Sequence, residues 1–405
     1  MNKYIEDLNE ETYSQLVDVP ALDRYRKKLT SYTFLLLMIY AQFTQKESLT
    51  ALAEDVGDSD DLKSFLGLGS IHKSTLSRHL REYSPKVFDD ILQHLMLEIQ
   101  RQEPSPWHSP GIKNLNVVDS SVISMCFSEN PWATYRKTKA GVKIHLKVRV
   151  HKEMPVPDKL LLSPAVHADR TKMEPLVNVD PDAIYLFDRA YNDYNLYDDY
   201  CEKGISFITR LKENAVYDIL STQRVANDEV TKRDAEVKLG GNYNQMKYSL
   251  RLIETTDSTG ERVLILTNCF HKSALEIGDL YRQRWKIETF FKWMKQHLKL
   301  KTLFGKSENA VYNQILTAFI TYCLLVLLKI KTGFKGKLLR LKRCLLHNCF
   351  SSFTDFKLKL FRRASRASRG RQSYDFEWEF EQIQHQYQRG EVELFNHLRY
   401  DPLFL

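Results

Sequence analysis

Three patterns of apolar and polar residues follow one another along the chain. Residues 1–105 have the spacing of helices, with a strongly apolar segment at 29–45 and shorter amphipathic segments after it. Pro104, Pro106 and Pro110 mark a boundary, after which apolar and polar residues alternate as they do in strands. The sequence therefore predicts a helical N-terminal region, followed by a mixed α/β part.

Two of the predicted strands end in an aspartate. Asp119 follows the short segment Leu-Asn-Val-Val at 115–118, and Asp188 follows the apolar residues 183–187. The other elements predicted in this part are strands at 142–151, 160–166 and 205–211, a short helix at 170–177 and a helix at 194–203. Strand-like segments at 229–239, 246–254 and 262–266 then alternate with turn residues, which predicts a β insertion at 212–270.

A spaced set of charged and aromatic residues follows the insertion. Tyr281, Arg284, Glu288 and Lys295 fall within an arc of roughly 60° if the segment is one helix at ~100° per residue. Leu280, Ile287, Phe291, Met294 and Leu298 form an apolar stripe beside them. A solvated surface helix gives the same spacing of charges, so the pattern alone leaves that alternative open.

The segment from Ile315 to Leu328 is the longest apolar stretch. It spans about 14 residues, which is short of the ~20 needed to cross a bilayer, and it predicts a buried core helix. The chain begins with polar and acidic residues and shows no signal peptide. We therefore expect no association with a membrane.

In the N-terminal region, a short helix at 48–56, a loop of Gly and Asp, and a polar helix at 70–81 resemble a helix-turn-helix. A plain helical bundle explains the same periodicity equally well. The sequence leaves both interpretations open.

Composition indicates an ordered protein with more than one structural region. The chain has 405 residues and a hydrophobic content of 43%, enough for two or three regions. Its six cysteines are scattered without a C-x2-C pair, which disfavours a zinc site and favours reduced thiols in the cytoplasm. The Gly305-Lys306-Ser307 segment lacks the earlier glycine of a phosphate-binding loop, so no nucleotide cofactor is expected.

The positive charge is concentrated in one part of the chain. Net charge is +8, but residues 281–371 hold 22 Lys and Arg against three acids, an excess of 22 − 3 = +19 that leaves −11 elsewhere. A basic block beside a carboxylate indicates a phosphate-rich partner. An anionic membrane surface is the weaker alternative, because no lipidation motif accompanies the charge.

Asp119, Asp188 and Glu288 are the candidate metal ligands. Strand ends and a helix can bring three such carboxylates together, and hard divalent cations such as Mg²⁺ take oxygen ligands. Two metals ~3.5–4 Å apart can activate a water or a 3′-hydroxyl and stabilise the leaving oxygen at a phosphodiester. The order of elements around the aspartates, β-β-β-α-β(Asp)-α-β, is that of a ribonuclease H-like fold.

At this point the chain resembles a DDE transposase of the bacterial IS4 family. The resemblance covers roughly residues 30–330 and rests on Val-Val-Asp-Ser-Ser at 117–121, on Asp-Arg-Ala-Tyr-Asn-Asp-Tyr at 188–194, and on the Tyr-x2-Arg-x3-Glu-x6-Lys signature. Ala190 replaces the family's Gly in the second motif. His-containing segments at 139–145 and 164–169 are also similar to the family.

The resemblance implies an α/β protein with a ribonuclease H-like catalytic core at 111–211 and 271–330, interrupted by the β insertion at 212–270. A helical N-terminal region at 1–105, which the helix-turn-helix interpretation assigns to DNA binding, precedes this core, and a basic C-terminal region at 331–405 follows it. The final aromatic and acidic segment, 374–388, is expected to pack on the body of the protein.

The resemblance also implies the roles of the site residues. Asp119, Asp188 and Glu288 would be catalytic and bind two Mg²⁺ or Mn²⁺ ions. Tyr281, Arg284 and Lys295 would contact DNA phosphates, which suits the preference of cations for phosphates. Trp285, Lys292 and Lys299 lie on or near the same face and are further candidates for DNA contact. Trp285 suits stacking on a flipped base or partial burial as a packing residue.

The expected partner is double-stranded DNA, both as terminal inverted repeats and as target. The resemblance implies a homodimer in the synaptic complex, in the bacterial cytoplasm and on the nucleoid. Two alternatives remain open: a catalytically silent DNA-binding or regulatory relative, and a ribonuclease H-like nuclease without strand transfer. His145 and His167 are candidates near the metals, although a structural role is commoner, and Ser120 and Ser121 are candidate donors to Asp119.

Overall fold

The structure, a computed structural model, describes residues 1–102, 114–150, 155–223, 231–241, 243–256, 260–300 and 302–362. The chain divides into two compact units, Met1–Leu360 and Phe361–Leu405. All contacts discussed below lie within the first unit. The predicted basic region lies outside the described residues from 363 onward, and so does the segment 374–388 that was expected to pack on the body.

The N-terminal region is helical, as predicted. Its α-helices are α1 (Glu10–Leu16), α2 (Val19–Asp23), α3 (Ser31–Thr44), α4 (Leu49–Asp58), α5 (Asp60–Leu66), α6 (Lys73–Glu82) and α7 (Pro85–Gln102). The prediction of a loop between α4 and α6 is wrong, because α5 lies there. Ser59 caps α5 by accepting a hydrogen bond from the Leu62 N–H, and two aspartates in its first turn suit the helix dipole.

The central sheet of the described residues has ten strands. They are β1 (Asn114–Met125), β2 (Thr134–Arg136), β3 (Lys139–Val150), β4 (Pro155–Pro164), β5 (Ala183–Phe187), β6 (Ser206–Arg210), β7 (Tyr217–Thr222), β8 (Thr231–Leu239), β9 (Leu250–Thr256) and β10 (Arg262–Thr267). Their order is β2-β3-β1-β5-β6-β10-β9-β8-β7, with β4 also paired to β3. β1, β5 and β6 are parallel, whereas β3 runs antiparallel to β1 and β4. This mixed sheet is consistent with a ribonuclease H-like core.

The prediction that Asp119 ends its strand is wrong, because β1 continues to Met125. Pairing of β1 with β5 stops at Val118 and Phe187, whereas pairing with β3 continues to the end of β1. Asp119 therefore lies one residue beyond the last pair with β5. Asp188 directly follows β5, as predicted, so both aspartates lie at the same edge of the parallel pair.

The predicted insertion is made of β7 to β10, and it extends the central sheet. β10 pairs antiparallel with β6, and β9, β8 and β7 follow in order. The strands predicted at 229–239, 246–254 and 262–266 correspond to β8, β9 and β10. β7 was not predicted, because its residues from Asp218 onward are exposed on both faces and do not alternate.

The remaining α-helices are α8 (Tyr194–Glu202), α9 (Ala274–Arg282), α10 (Trp285–His297), α11 (Glu308–Thr332), α12 (Leu338–His347) and α13 (Phe353–Phe361). The segment predicted as a short helix at 170–177 forms two 3-10 helices, Asp169–Lys172 and Glu174–Leu176. Further 3-10 helices are Glu6–Leu8, Pro131–Ala133 and Arg189–Tyr191.

The predicted single helix through Tyr281 and Glu288 is two helices. At the junction of α9 and α10, the N–H groups of Gln283 and Arg284 bond to carbonyls three residues earlier, and those of Lys286 and Ile287 do the same. This tight 3-10 turn changes the angular spacing between Tyr281 and the residues of α10. The calculated arc of about 60° therefore does not apply across the junction.

Helix α11 is a buried core helix, as predicted. It is long and apolar enough to cross a membrane, but 89% of its most apolar window is buried inside the protein. It packs against α3, α6 and α7 and against strand β4. The membrane interpretation therefore has no support beyond length and composition.

The sheet separates two apolar clusters. One contains Leu115 and Val117 with residues of α3, α7, α10 and α11. The other contains Val118 with residues of β5, α8 and the inserted strands. Because side chains alternate along a strand, Asp119 belongs with Val117 on the side of α10, and Ser120 faces the other side. The N-terminal helices share the first cluster with the sheet, and the predicted domain boundaries stay predictions.

Candidate active site

Asp119, Asp188 and Glu288 lie within electrostatic range of one another where β5 ends. Asp119 is on β1, Asp188 follows β5, and Glu288 is in the first turn of α10. Arg284 lies between two of them: its guanidinium nitrogens are 2.7 Å from Glu288 Oε1 and 3.8 Å from Asp119 Oδ2. Asp188 acts electrostatically on Asp119, Glu288 and Arg284.

The Asp119 carboxyl is held in a poorly hydrated place. Burial raises its pKa to about 7, while Arg284 and a hydrogen bond from the Ser120 N–H (2.7 Å) oppose that shift. The negative charges of Asp188 and Glu288 raise the pKa further. Asp119 is thus a carboxyl whose ionised form needs a nearby cation.

Glu288 has a similar environment on the facing helix. Burial raises its pKa, the charge and hydrogen bond of Arg284 lower it, and Asp188 raises it again. Its side chain and that of Asp119 are both 18% exposed, so solvent reaches the cluster. The arrangement is a partly open set of carboxylates with one cation among them.

Tyr281 lies beside the same guanidinium, at the end of α9. The Arg284 Cζ atom is 5.9 Å from the centre of the Tyr281 ring, which is within the range of a cation–π contact. Burial raises the pKa of Tyr281 to about 12, so its hydroxyl keeps its proton at neutral pH. The hydroxyl is therefore available as a hydrogen-bond donor.

The donor set suits a hard divalent cation, because carboxylate oxygens are the ligands that Mg²⁺ and Mn²⁺ prefer. In the described part of the chain, no three Asp, Glu, His or Cys side chains lie close enough to one another to hold a metal. Arg284 explains this spacing for Asp119 and Glu288, since its guanidinium bonds one and approaches the other. The residues fit a metal by chemistry, provided that Arg284 moves.

The other candidate residues lie along or beyond α10. Lys295 donates a hydrogen bond at 3.2 Å to the carbonyl of Val122, which lies two residues after Ser120 in β1. Trp285, at 49% exposure, and Lys292 lie on the surface. Lys299 is past the end of α10, and its backbone N–H bonds to Gln42 Oε1. Arg284 thus contacts both Tyr281 and Glu288. Trp285 directly follows Arg284 in the chain, whereas Lys292, Lys295 and Lys299 lie beyond Glu288.

Sequence reasoning missed Asp169, which lies behind Asp119. Its Oδ1 accepts a hydrogen bond from the Ser120 hydroxyl at 2.7 Å and lies 3.1 Å from Lys143 Nζ. The signal was present, since Asp169 ends a segment that was singled out for His167. His167 itself is exposed, whereas His145 is fully buried beside Asp169.

Comparison with known families matches two parts of the chain. Residues 110–324 match the transposase DDE domain family, and they include all three carboxylates. Residues 1–62 match a domain of unknown function, DUF4372. The first match covers more than half of the chain.

Individual relatives carry related names. A protein of Geobacillus stearothermophilus, "Probable transposase for insertion sequence element IS5377", is 33% identical over 267 residues, which are 65% of this chain and 69% of the relative. A Synechocystis protein, "Putative transposase for insertion sequence element IS4SA", is 25% identical over 266 residues, which are 64% of this chain and 72% of the relative. A Sinorhizobium fredii protein, "Putative transposase y4zB", is 28% identical over 223 residues, which are 53% of this chain and 61% of the relative.

Proposed function

The chain belongs to the transposase DDE domain family, and on that premise we propose that it cuts DNA at the ends of an insertion element and joins the freed ends to target DNA. In the first step, water attacks the phosphodiester and the bond to the 3′ oxygen breaks, which leaves a 3′-hydroxyl. In the second step, that hydroxyl attacks a phosphodiester of the target and displaces another 3′ oxygen. The joining step needs no external energy source, because one phosphodiester replaces another.

The observation that carries this proposal is the meeting of Asp119, Asp188 and Glu288 around Arg284 at one edge of the sheet. Transposase DDE domains use divalent metal ions in general, and these carboxylates would hold two Mg²⁺ or Mn²⁺ ions. When bound, such ions activate the attacking oxygen and stabilise the leaving one. The signature residues Tyr281, Arg284, Glu288 and Lys295 support the narrower assignment to an IS4-type enzyme.

The surrounding residues would hold the DNA strand. Arg284 carries positive charge next to the carboxylates, and Lys295 carries it about two turns beyond Glu288 on the same helix. Tyr281 keeps its hydroxyl proton, so the three side chains suit phosphate oxygens. Trp285 presents an exposed ring and Lys292 an exposed cation on the same helix. Lys299 would extend this contact past the helix end. The protein would act on double-stranded DNA as a homodimer, in the bacterial cytoplasm on the nucleoid.

The test uses a supercoiled plasmid that carries the element's own ends, with Mg²⁺ and a marked target. Asp119→Asn, Asp188→Asn and Glu288→Gln should each lower end cleavage by about 10³-fold or more while the protein still binds the DNA. Asp279→Asn is the matched control, because this exposed acid of α9 pairs with Arg282 outside the cluster. Unchanged cleavage in all three variants would refute the proposal.

Two alternatives give different products. A nuclease without strand transfer would release ends but never join them to the marked target. A silent regulatory relative would bind the ends and leave them uncut in Mg²⁺ and in Mn²⁺. Joined products that carry the element's 3′ ends are the outcome expected here.

A further inference from the structure

A layer of polar side chains lies on the face of the sheet opposite Glu288. Ser120 on β1 is paired in register with His145 on β3, and Lys143 is two residues along the same strand. These side chains face away from α10, because alternate residues of a strand point to opposite faces. Asp169, at the start of a 3-10 helix after β4, completes the layer through its contacts with Ser120 and Lys143.

Ser120 joins this layer to the catalytic carboxylate. Its backbone N–H donates to Asp119 Oδ1 at 2.7 Å, on one side of the sheet. Its hydroxyl donates to Asp169 Oδ1 at 2.7 Å, on the other side. One residue therefore makes a hydrogen bond to each of the two carboxylates.

Asp169 is itself held by an ion pair with Lys143, and the His145 ring packs beside it without a hydrogen bond. Lys143 Nζ lies 3.1 Å from its Oδ1 and also donates to the His167 carbonyl, at the start of the same turn. The buried His145 ring lies 3.7 Å from the same oxygen through Nδ1, and its Nε2 bonds to the Ser163 hydroxyl at 2.9 Å. Only 21% of the Asp169 side chain is exposed, so this carboxylate is fixed rather than solvated.

Tyr191 connects the layer to the second catalytic aspartate. It is fully buried, and its N–H bonds to the Asp188 carbonyl at 3.0 Å in the 3-10 helix that follows β5. Burial and the negative charges of Asp119 and Asp169 raise the pKa of Tyr191 well above its ordinary value. Its hydroxyl therefore lies among these carboxyls, beside Ser120, and keeps its proton.

We propose that Asp169 is a positioning residue for the metal site, which acts through Ser120 to hold the Asp119 carboxylate in place. This inference rests on the proposed function, since it assumes that Asp119 is a metal ligand. Asp169 itself makes no contact with Glu288 or Arg284 among the described contacts. Its effect passes through the Ser120 backbone, and groups that orient metal ligands in this way typically change metal affinity 10–100-fold when removed.

The experiment measures Mn²⁺ binding without DNA, by the electron paramagnetic resonance signal of free Mn²⁺ in the full-length protein. Asp169→Ala and Ser120→Ala should each lower Mn²⁺ affinity about 10-fold. The double variant should bind Mn²⁺ as tightly as the single variant with the lower affinity, because both changes act on one path. Asp169→Asn keeps an oxygen that accepts from the Ser120 hydroxyl. It should therefore recover part of the affinity lost in Asp169→Ala.

Asp158→Ala is the matched control. Asp158 also pairs with a β3 lysine, at 2.6 Å from Lys147 Nζ, but it contacts neither Ser120 nor Asp119. It should lower thermal stability and leave Mn²⁺ binding unchanged. The Ser120→Ala and Asp169→Asn variants carry the test if Asp169→Ala does not fold, since both are small changes.

The outcomes separate this inference from the proposed function. If the wild type binds Mn²⁺ in a way that Asp119→Asn abolishes, but Ser120→Ala and Asp169→Asn bind it equally well, Asp169 has no positioning role. If the fold-loss of Mn²⁺ affinity in the double variant equals the product of the two single fold-losses, the two residues act independently and the shared path is also overturned. If the wild type shows no Mn²⁺ binding that depends on Asp119, the metal site and the inference both fail.

Discussion

At the scale of single residues, Arg284 has two partners that a metal would also need. Its guanidinium bonds Glu288 and approaches Asp119, so it neutralises carboxylates that would otherwise repel one another. A bound divalent cation would compete for the same oxygens. The arginine would then be released from these ion pairs and could contact a DNA phosphate, which suits its planar set of donors.

Arg284→Gln should therefore separate metal binding from catalysis. Without DNA, Mn²⁺ affinity is expected to rise about 3–10-fold, because the competing cation is gone. Cleavage of element ends is expected to fall at least about 10-fold, because a phosphate contact is lost. Free Mn²⁺ is measured by electron paramagnetic resonance and cleavage on gels.

Arg282→Gln is the control for that change. Arg282 is 65% exposed and pairs with Asp279, so neither Mn²⁺ binding nor cleavage should change by more than about 2-fold. Weaker Mn²⁺ binding in Arg284→Gln would contradict the competition described above.

His145 makes the fold sensitive to mild acid. Burial lowers its pKa to about 4, and the charge of Asp169 only partly opposes this. The unfolded chain takes up a proton near pH 6.5, whereas the folded chain takes it up near pH 4, so stability falls as pH drops through this window. Between pH 7 and pH 5, this one residue should remove about 2 kcal/mol from the free energy of unfolding.

Urea unfolding at the two pH values measures that effect. In His145→Gln the loss between pH 7 and pH 5 should be smaller by about 2 kcal/mol. His72→Gln, at an exposed histidine in front of α6, should keep the wild-type difference. An unchanged pH dependence in His145→Gln would show that the ring is not excluded from protonation.

At the scale of elements, the sequence predicted most helices and strands but not where they join. Asp119 was placed at a strand end because its apolar run stops there; β1 continues because β3 still pairs with it up to Met125. No Gly or Pro signals the break between α9 and α10 in the sequence. The break is instead a change from hydrogen bonds four residues apart to hydrogen bonds three residues apart. Such features depend on neighbouring elements, so local patterns do not reveal them.

Helix α6 is the element that best suits DNA recognition in the N-terminal region. Leu76, His79 and Leu80 are buried, whereas Arg78 and Arg81 are exposed on the opposite side. The turn before α6 follows α5, so the part predicted as a helix-turn-helix contains one helix more than expected. Its DNA-binding role stays a prediction.

Arg78→Ala and Arg81→Ala should each weaken binding to the element's ends several-fold. Each should also reduce the slope of log affinity against log salt by about 1, because one phosphate contact is lost. Fluorescence anisotropy at several salt concentrations measures both quantities. Lys86→Ala, an exposed cation of α7 paired with Asp90, is the control and should leave both unchanged; equal effects of all three would rule out α6 as the binding element.

At the scale of the whole molecule, the N-terminal helices and α11 form one core with the sheet. Buried side chains of α11 make the polar links: Asn313 donates to the carbonyls of Leu80 and Tyr83, and Gln314 donates to those of Lys299 and Thr302. The sequence predicted the burial of α11 from its composition. It did not predict these partners, which lie up to 233 positions away along the chain.

Asn313→Ala should lower the free energy of unfolding by about 1–3 kcal/mol, because it leaves two buried carbonyls without their donor. Asn309→Ala, one turn earlier, removes a single bond to the Arg81 carbonyl near the surface and should cost less than about 1 kcal/mol. Urea unfolding at pH 7 gives both values. Equal losses would mean that burial adds nothing to this link.

The separation of Leu80 and Asn313 along the chain also affects how the protein folds during its synthesis. A ribosome adds roughly 5–20 residues per second, so the partners of α3, α6 and α7 appear about 10–50 s after those helices have left it. During that interval the apolar faces that pack on α11 lack their native partner, and Glu288 has not yet been made for most of it. We therefore expect a nascent chain of this protein to expose these faces for much of its synthesis, and its complete carboxylate set is made only shortly before its core can close.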